Sequence, residues 1–350
     1  MRLLSRTRNR NAPIVGLDLD PGHVSAAEVH VNGSMVVKRG AVVPLRRGVV
    51  RDGEIADGAA LAEALKQLFE ENQLSRRVRV GIANQRIVMR TLDLPLLEEP
   101  KALAAAVHAE APDHIPMPMD QAIVDFQSLG VVQTMGGART RVVIVAVRRE
   151  MVDRVVGAAR AAGLELEGID LSAFGMVRAL ARPASEAVMY ISAAGLVNVA
   201  VANDRGCLFT RAASGGVDEM AQTLSEQRGL TLEHARQWLS HVGVLAPLES
   251  VEGDRAVVEA ARAVLEEGAH QLADTIRHSL NFYRTQEGTE PVTSGVLTGP
   301  AVGVPGLAER LSELLRLPIE PAVVPVEAGE GSPDAGYLTV AAGLAVEERA

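Results

Sequence analysis

The sequence predicts a mixed α/β protein made of two related lobes. A chain of 350 residues is long enough for about two domains, and 47% of its residues are apolar. A pattern of strand, glycine turn and strand opens the chain at residues 14–33 and recurs at residues 187–213, about 175 residues later. Such internal similarity indicates two structural units of common design, which we expect to enclose a cleft.

The first half of the chain predicts alternating strands and helices from its apolar periodicity. The expected elements are strands at 15–19, 25–31, 33–45 and 78–82, a helix at 57–72, an extended segment at 86–95, a helix at 98–118, strands at 122–130 and 139–149, a helix at 149–163, a strand at 164–171 and a helix at 172–182. Pro112 and Pro116 are expected to end the helix at 98–118. Ser172 is expected to cap the helix that it begins.

The second half repeats the opening pattern and then becomes mainly helical. After a polar break at residues 183–186, we expect three strands within 187–213, two helices within 215–243, a long helix over 254–288, a strand at 292–298, a helix and a strand within 305–324, and a final helix at 336–348. The long helix carries an apolar stripe at helical spacing, which predicts one buried face.

Composition excludes several classes of protein. The net charge is −9, which disfavours general nucleic-acid binding because backbone affinity comes from basic side chains. The single cysteine, Cys207, cannot form an internal disulfide and suits a reducing compartment. No apolar run approaches the ~20 residues of a membrane span, and no signal peptide is expected. The first 12 residues carry four arginines, which predicts a flexible basic tail or a weak contact with anionic lipid.

The residues also resemble a known family. A carboxylate, Asp18, ends the first strand just before a tight glycine turn, as at the start of actin-type ATPases. "RTLDLPLLEEPKALAAAVHAEAPDHIPMPMDQAIVDFQSLG", "LNFYRTQEG" and "LTGPAVGVPGLAERLSELLRLPIE" follow later in the chain. In order and spacing these segments are similar to the PilM family of type IV pilus assembly proteins, which is related to FtsA.

This resemblance implies an actin-like (ribonuclease H-like) two-lobed ATPase fold with a small inserted subdomain. The implied division is a basic tail at 1–12, a first lobe at 13–84 plus 164–184, an inserted partner-binding subdomain at 85–163, a second lobe at 185–213 plus 291–350, and a helical subdomain of that lobe at 214–290. It also implies a cytoplasmic protein that lies peripherally at the inner membrane through its partners.

The resemblance further implies a scaffold that binds the cytoplasmic N-terminal tail of a PilN-like membrane protein. The implied groove lies between the first lobe and the inserted subdomain. An extended peptide would pair with a strand edge there, so the strand at 87–94 and the helix at 101–111 are the candidate walls. Contacts with other pilus platform proteins and homo-oligomerisation stay open, and no nucleic acid is expected as a partner.

Family members also bind ATP between the lobes, and the resemblance implies which residues of this chain stand at the positions of that ATP site. Phosphate-binding turns direct backbone N–H groups at an anion, and glycine permits the close approach. The implied cofactor-binding residues are Asp18, Asp20, Gly22, His23, Ser25, Gly195, Gly215, Gly216, Thr298 and Gly299. Asp18 is the implied holder of a Mg²⁺-bound water.

Several of these positions depart from the family's pattern. Asp20 replaces a glycine, Ser25 replaces a lysine, and Pro21 lacks an N–H group. Pro300 and Ala301 replace glycines in the later turn. A carboxylate about 4 Å from a phosphate would cost roughly 4 kcal/mol at an effective dielectric of 20.

These changes leave three interpretations open: the turns are only connectors, they bind ATP weakly, or they support ATPase or kinase turnover. An Asp18–Asp20 pair that holds Mg²⁺ is a further alternative. Asp170, which precedes a helix, is a candidate base for turnover, but a helix-capping carboxylate is the simpler interpretation. The eight histidines show no spacing typical of a metal centre.

Overall fold

The computed structural model describes residues 13–97, 99–182, 186–286, 288–327 and 334–347, so the tail predicted at 1–12 lies outside the described residues. The strands are β1 (Val15–Leu19), β2 (His23–Asn32), β3 (Ser34–Pro44), β4 (Val50–Arg51), β5 (Glu54–Ile55), β6 (Arg77–Ile82), β7 (Val88–Pro95), β8 (Ala122–Thr134), β9 (Gly137–Arg148), β10 (Glu165–Leu171), β11 (Ala187–Ala193), β12 (Leu196–Asn203), β13 (Gly206–Ser214), β14 (Val292–Thr298) and β15 (Ile319–Pro321). The helices are α1 (Gly58–Glu71), α2 (Pro100–His114), α3 (Arg149–Ala161), α4 (Ser172–Leu180), α5 (Val217–Arg228), α6 (Leu232–Val242), α7 (Arg255–Arg284), α8 (Leu307–Leu315) and α9 (Ala335–Ala345), with short 3₁₀ helices at Leu248–Ser250 and Pro300–Gly303.

The first lobe is built on a five-stranded sheet in the order β10–β6–β1–β2–β3. β1 runs antiparallel to β2 and parallel to β6, and β6 runs parallel to β10. Val15 and Leu17 face a core shared with α1 and α3. On the other face, a Cβ at Gly16 would lie 1.8 Å from the carbonyl oxygen of Ala341 in α9. Glycine therefore allows α9 to pack directly on β1.

The second lobe repeats this sheet. Its order is β13–β12–β11–β14–β15, and its strand directions match those of the first sheet. Helices α5 to α8 cover one face with a large aliphatic core. Helix α4 contacts strands of both sheets. The repeat predicted from the two strand–turn–strand patterns is thus confirmed, and the turn after β1 corresponds to the turn after β11.

A smaller three-stranded sheet, ordered β7–β9–β8, interrupts the first lobe. Helix α2 packs on it through Leu103, Val107 and Ala111. The helix continues through Pro112 to His114, so the prediction that Pro112 helps to end it was wrong. Central strand β9 is continuously apolar and buried over residues 142–147, whereas β7 and β8 form the two edges of the sheet.

The chain returns to the first lobe at its end. Val37 of β3 forms a bridge to Val326, and α9 then packs on α4, β1 and β2. The family resemblance implies that this helix belongs to the second lobe, but its strand contacts are with the first sheet. The remaining boundaries of the proposed division stay a prediction. Among the described residues, no helix is long and apolar enough to cross a membrane.

Candidate functional site

Two equivalent turns from opposite lobes meet in the cleft. One is the β1–β2 turn, which holds Asp20, and the other is the β11–β12 turn, which holds Gly195. A Cβ at Gly195 would lie 2.3 Å from Asp20 Oδ1, so this approach requires glycine. The fold therefore brings together site residues that the sequence placed 175 positions apart.

The Asp20 carboxylate accepts hydrogen bonds from backbone N–H groups of both turns. Its Oδ1 accepts from the N–H groups of Gly22 and Gly195, both at 3.0 Å, and its Oδ2 accepts from the N–H of Leu196 at 3.1 Å. Asp20 is only 5% exposed. Burial raises the pKa of Asp20, while His23 and the N–H donors act in the opposite direction. The N–H groups of the two turns thus surround an anion that belongs to the chain itself.

The N–H groups of Gly22, Gly195 and Leu196 that donate to Asp20 are called the cradle below. Asp18 lies beside this cradle at the end of β1 and is partly exposed. Its Oδ1 accepts a hydrogen bond of 2.6 Å from the hydroxyl of Ser172. Burial raises the pKa of Asp18 to about 6, the Ser172 hydrogen bond lowers it, and the Asp20 charge raises it. Ser172 is the first residue of α4 and makes no capping hydrogen bond, so its predicted role as a cap was wrong.

A second set of polar side chains borders the cradle on the side of the second lobe. The ligand atoms of Asp20, His23 and Asp218 lie within 4.8 Å of one another, which is a spacing that a metal ion could occupy. Arg236 Nε, however, donates to Asp218 Oδ1 at 2.9 Å. His23 Nδ1 lies 3.6 Å from Asp20 Oδ1, and its ring packs edge-on against Tyr337.

The remaining predicted residues lie near these turns. A Cβ at Gly216, the first residue before α5, would be 2.1 Å from the carbonyl oxygen of Ala194, so the two lie in direct contact. Gly215 adopts φ +94°. A Cβ at Gly299 would lie 2.8 Å from the hydroxyl of Ser192.

The predicted hydroxyl residues are enclosed. Thr298 and Ser25 are fully buried, and neither hydroxyl oxygen has a hydrogen-bond partner among the described residues. The fold thus gathers Asp18, Asp20, Gly22, His23 and Gly195 into one contact network, with Gly216 against the β11–β12 turn and Gly299 against the end of β11. The side chains of Ser25 and Thr298 contribute no hydrogen bond to this network.

Three residues that contact the site were not predicted to do so from the sequence, and the role predicted for a fourth residue was wrong. Asp218, Tyr337 and Ser172 all contact predicted site residues. Only Asp218 carried a usable signal, since it follows the Gly-Gly pair at a helix start. Asp170 neither caps α4 nor faces the cradle as a base: it accepts from the N–H of Leu171 and pairs with Arg178 at 2.6 Å.

Two cavities lie along β7, one of the two candidate walls of the expected partner groove. A cavity of about 340 Å³ lies beside its first half, between the end of β6 and strand β13, and Phe282 forms part of its wall. A second cavity of about 500 Å³ lies beside its second half, where Glu110 and His114 of α2 contribute. Strand β7 and helix α2 were the candidate walls, and β7 borders both cavities.

The architecture defines the class of the protein. Two sheets of identical topology, joined by α4 and meeting at paired glycine turns, form an actin-like two-lobed fold. MreB5 of Spiroplasma citri bound to ADP matches with a TM-score of 0.55 and 13% identity, over 96% of this chain and 95% of that one. The ethanolamine utilization protein EutJ from Carboxydothermus hydrogenoformans matches with a TM-score of 0.50 and 17% identity, over 97% and 92%.

A closer structural match and a family model identify the family of the chain. The PilM-PilN type IV pilus biogenesis complex matches with a TM-score of 0.74 and 24% identity, over 95% of this chain and 98% of that one. The family model described as type IV pilus assembly protein PilM matches residues 16–348. The chain belongs to the PilM family of type IV pilus assembly proteins.

Proposed function

We propose that this protein is a cytoplasmic scaffold of the type IV pilus platform at the inner membrane, where it binds the N-terminal tail of a PilN-like membrane protein. The family assignment supports the role, and the structurally similar PilM is described in complex with PilN. The observation that carries the proposal for this chain is the edge strand β7, bordered by two cavities. Contacts with other platform proteins and self-association are further parts of the proposal.

Strand β7 has the features of a strand that accepts an extended peptide. It pairs with β9 along its whole length, from Val88 to Pro95, and its other side is an edge of the sheet. The carbonyl oxygens of Met89 and Asp93 accept hydrogen bonds from the side chains of Arg90 and Arg139. N–H and C=O groups alternate in direction along a strand, so every second residue of β7 directs its backbone groups away from β9. An added peptide strand would use that side.

The first cavity supplies an apolar anchor for such a peptide. Phe282 is 45% exposed and packs against Phe209, which lines the same cavity. Large aromatic side chains at a peptide groove contribute contact area at low entropic cost. We therefore place the apolar residues of the tail against Phe282 and its backbone against β7.

Calorimetry with a synthetic tail of the PilN-like protein from the same genome tests the scaffold proposal. We expect saturable binding to the wild type and at least tenfold weaker binding to Phe282→Ala. Met135→Ala serves as the matched control because Met135 is fully exposed at the β8–β9 hairpin, away from the cavity. Absence of binding at high micromolar peptide, or equal losses in both variants, would contradict the proposal.

We also infer that the cleft between the lobes is a degenerate nucleotide site. MreB5 is described with ADP, and the shared fold makes ATP with Mg²⁺ the relevant ligand. The residues that line the cleft of this chain are poorly suited to bind the phosphates of ATP. The N–H groups of Gly22, Gly195 and Leu196 donate to Asp20, and an added phosphate would meet that carboxylate.

A titration with Mg-ATP decides between this inference and the alternative, an actin-fold ATPase or kinase. A ligand stabilises the folded state by RT ln(1 + [L]/Kd), so a millimolar titration reveals weak binding. We expect no change in melting temperature up to 5 mM Mg-ATP. A saturable rise in melting temperature, together with phosphate release, would favour the enzyme.

A further inference from the structure

The following inference rests on the proposed degenerate cleft and assigns its central carboxylate a role. We propose that Asp20 is a built-in anion that occupies the N–H cradle of the cleft and links the two lobes in place of a bound phosphate. The role follows from the partners of the carboxylate, which come from both the β1–β2 and β11–β12 turns.

The geometry around Asp20 is that of an anion site. Three backbone N–H groups lie 3.0–3.1 Å from its oxygens, and Gly195 donates to both oxygens at 3.0 and 3.2 Å. Consecutive N–H groups that converge on one point create a positive concavity that binds anions. Gly195 and Leu196 provide such a consecutive pair. The carboxylate is almost completely buried there, so water does not compete effectively for these donors.

The turn that carries Asp20 is built to hold it in this position. Reciprocal backbone hydrogen bonds join Asp20 and His23, at 3.0 Å and 3.3 Å. Pro21 between them fixes its own φ angle and removes an N–H group that would otherwise need a partner. The side chain of Asp20 therefore projects from a closed turn toward the opposite lobe. In the opposite lobe, Gly195 leaves room for the carboxylate.

An anion role explains these contacts better than a metal role. The Asp20 carboxylate already accepts hydrogen bonds from three N–H groups, whose positive ends point toward its oxygens. A cation bound by Asp20, His23 and Asp218 would compete with these N–H groups for the same carboxylate. Asp218 also forms an ion pair with Arg236 at 2.8 Å. The positive charge that a metal would supply is thus already present as N–H groups and a guanidinium.

Removal of the carboxylate should empty the cradle and make it available to a free anion. The probe is inorganic phosphate, titrated by calorimetry into full-length wild type, Asp20→Gly and Asp18→Asn. Asp18→Asn is the matched control because it removes a neighbouring negative charge whose hydrogen-bond partner is Ser172, outside the cradle. We expect phosphate to bind Asp20→Gly at least tenfold more tightly than either of the other two proteins.

Hydrogen exchange gives a direct second readout at the donors. In the wild type, the amides of Gly195 and Leu196 should exchange slowly, with or without phosphate. In Asp20→Gly they should exchange at least tenfold faster, and 10 mM phosphate should slow them again. If Asp20→Gly does not fold, Asp20→Ala replaces it, since alanine also removes the carboxylate from the N–H groups. The same direction of change is then expected.

The outcomes separate this inference from the scaffold proposal. Equal gains in phosphate affinity for Asp20→Gly and Asp18→Asn would show simple relief of repulsion and would overturn the inference. The inference would also be overturned if Asp20→Gly left the exchange rates of the Gly195 and Leu196 amides unchanged. The same holds if the wild type bound Mn²⁺ or Zn²⁺ and Asp20→Gly abolished that binding. PilN-tail binding is measured on the same samples. If the tail fails to bind while phosphate behaves as expected, the scaffold proposal fails and the role of Asp20 stands.

Discussion

Asp18→Asn should make folding stability less dependent on pH, because burial raises the pKa of Asp18 from 3.8 to about 6. A group with a raised pKa binds its proton more tightly in the folded state than in the unfolded state. The free energy of unfolding contributed by Asp18 therefore falls as pH rises from about 4 to about 6 and stays constant above that range.

The structure sets the size of the effect. A pKa difference of about two units corresponds to about 3 kcal/mol, which is an upper limit because Asp18 keeps partial access to solvent. Asparagine carries no charge and still offers an oxygen to the hydroxyl of Ser172. We therefore expect the stability of Asp18→Asn relative to wild type to increase by about 1–3 kcal/mol between pH 3.5 and pH 7.

Urea unfolding followed by circular dichroism, at several pH values and in EDTA, measures this difference. Ser172→Ala provides a second check, because loss of the donated hydrogen bond should raise the pKa of Asp18 further, as followed by carboxyl carbon NMR. If the difference in unfolding free energy between Asp18→Asn and wild type is the same at every pH, the reasoning from burial is refuted.

Two further predictions concern packing and a buried ion pair. Gly216→Ala should destabilise the protein by about 1–3 kcal/mol, because its Cβ would lie 2.1 Å from a carbonyl oxygen of the β11–β12 turn. Gly157→Ala is the control: Gly157 lies in α3 with open space around it, so this change should be neutral or stabilising by up to about 1 kcal/mol. Thermal unfolding of both variants checks this, and equal effects would contradict it. Arg178→Met should lower the free energy of unfolding by about 3–5 kcal/mol, because it leaves the buried carboxylate of Asp170 unpaired. Arg182→Met removes an exposed ion pair and should lower it by less than about 1 kcal/mol. Chemical denaturation at pH 7 compares the two arginine variants, and similar losses would show that burial does not govern the effect.

Local sequence signals account for most of the fold. Strand alternation and the glycine turns indicated both lobes, and the apolar stripe of α7 indicated its buried face, because these signals depend on neighbouring residues alone. Helix α9 is mostly apolar on all its faces, so its sequence did not indicate which face packs on the sheet. Its position on the first sheet follows from the path of residues 325–327 beside β3, where Val37 pairs with Val326.

The cleft shows the same division between sequence and tertiary structure. The sequence by itself predicted that Asp18 ends the first strand and that Asp20 lies in the turn after it. The resemblance to the PilM family implied that Asp20 stands where that family has glycine. Tertiary structure alone decided that the Asp20 carboxylate meets the N–H groups of Gly195 and Leu196. The physical reason is that these donors are backbone N–H groups, whose direction depends on the conformation of a turn that is distant from Asp20 in the sequence.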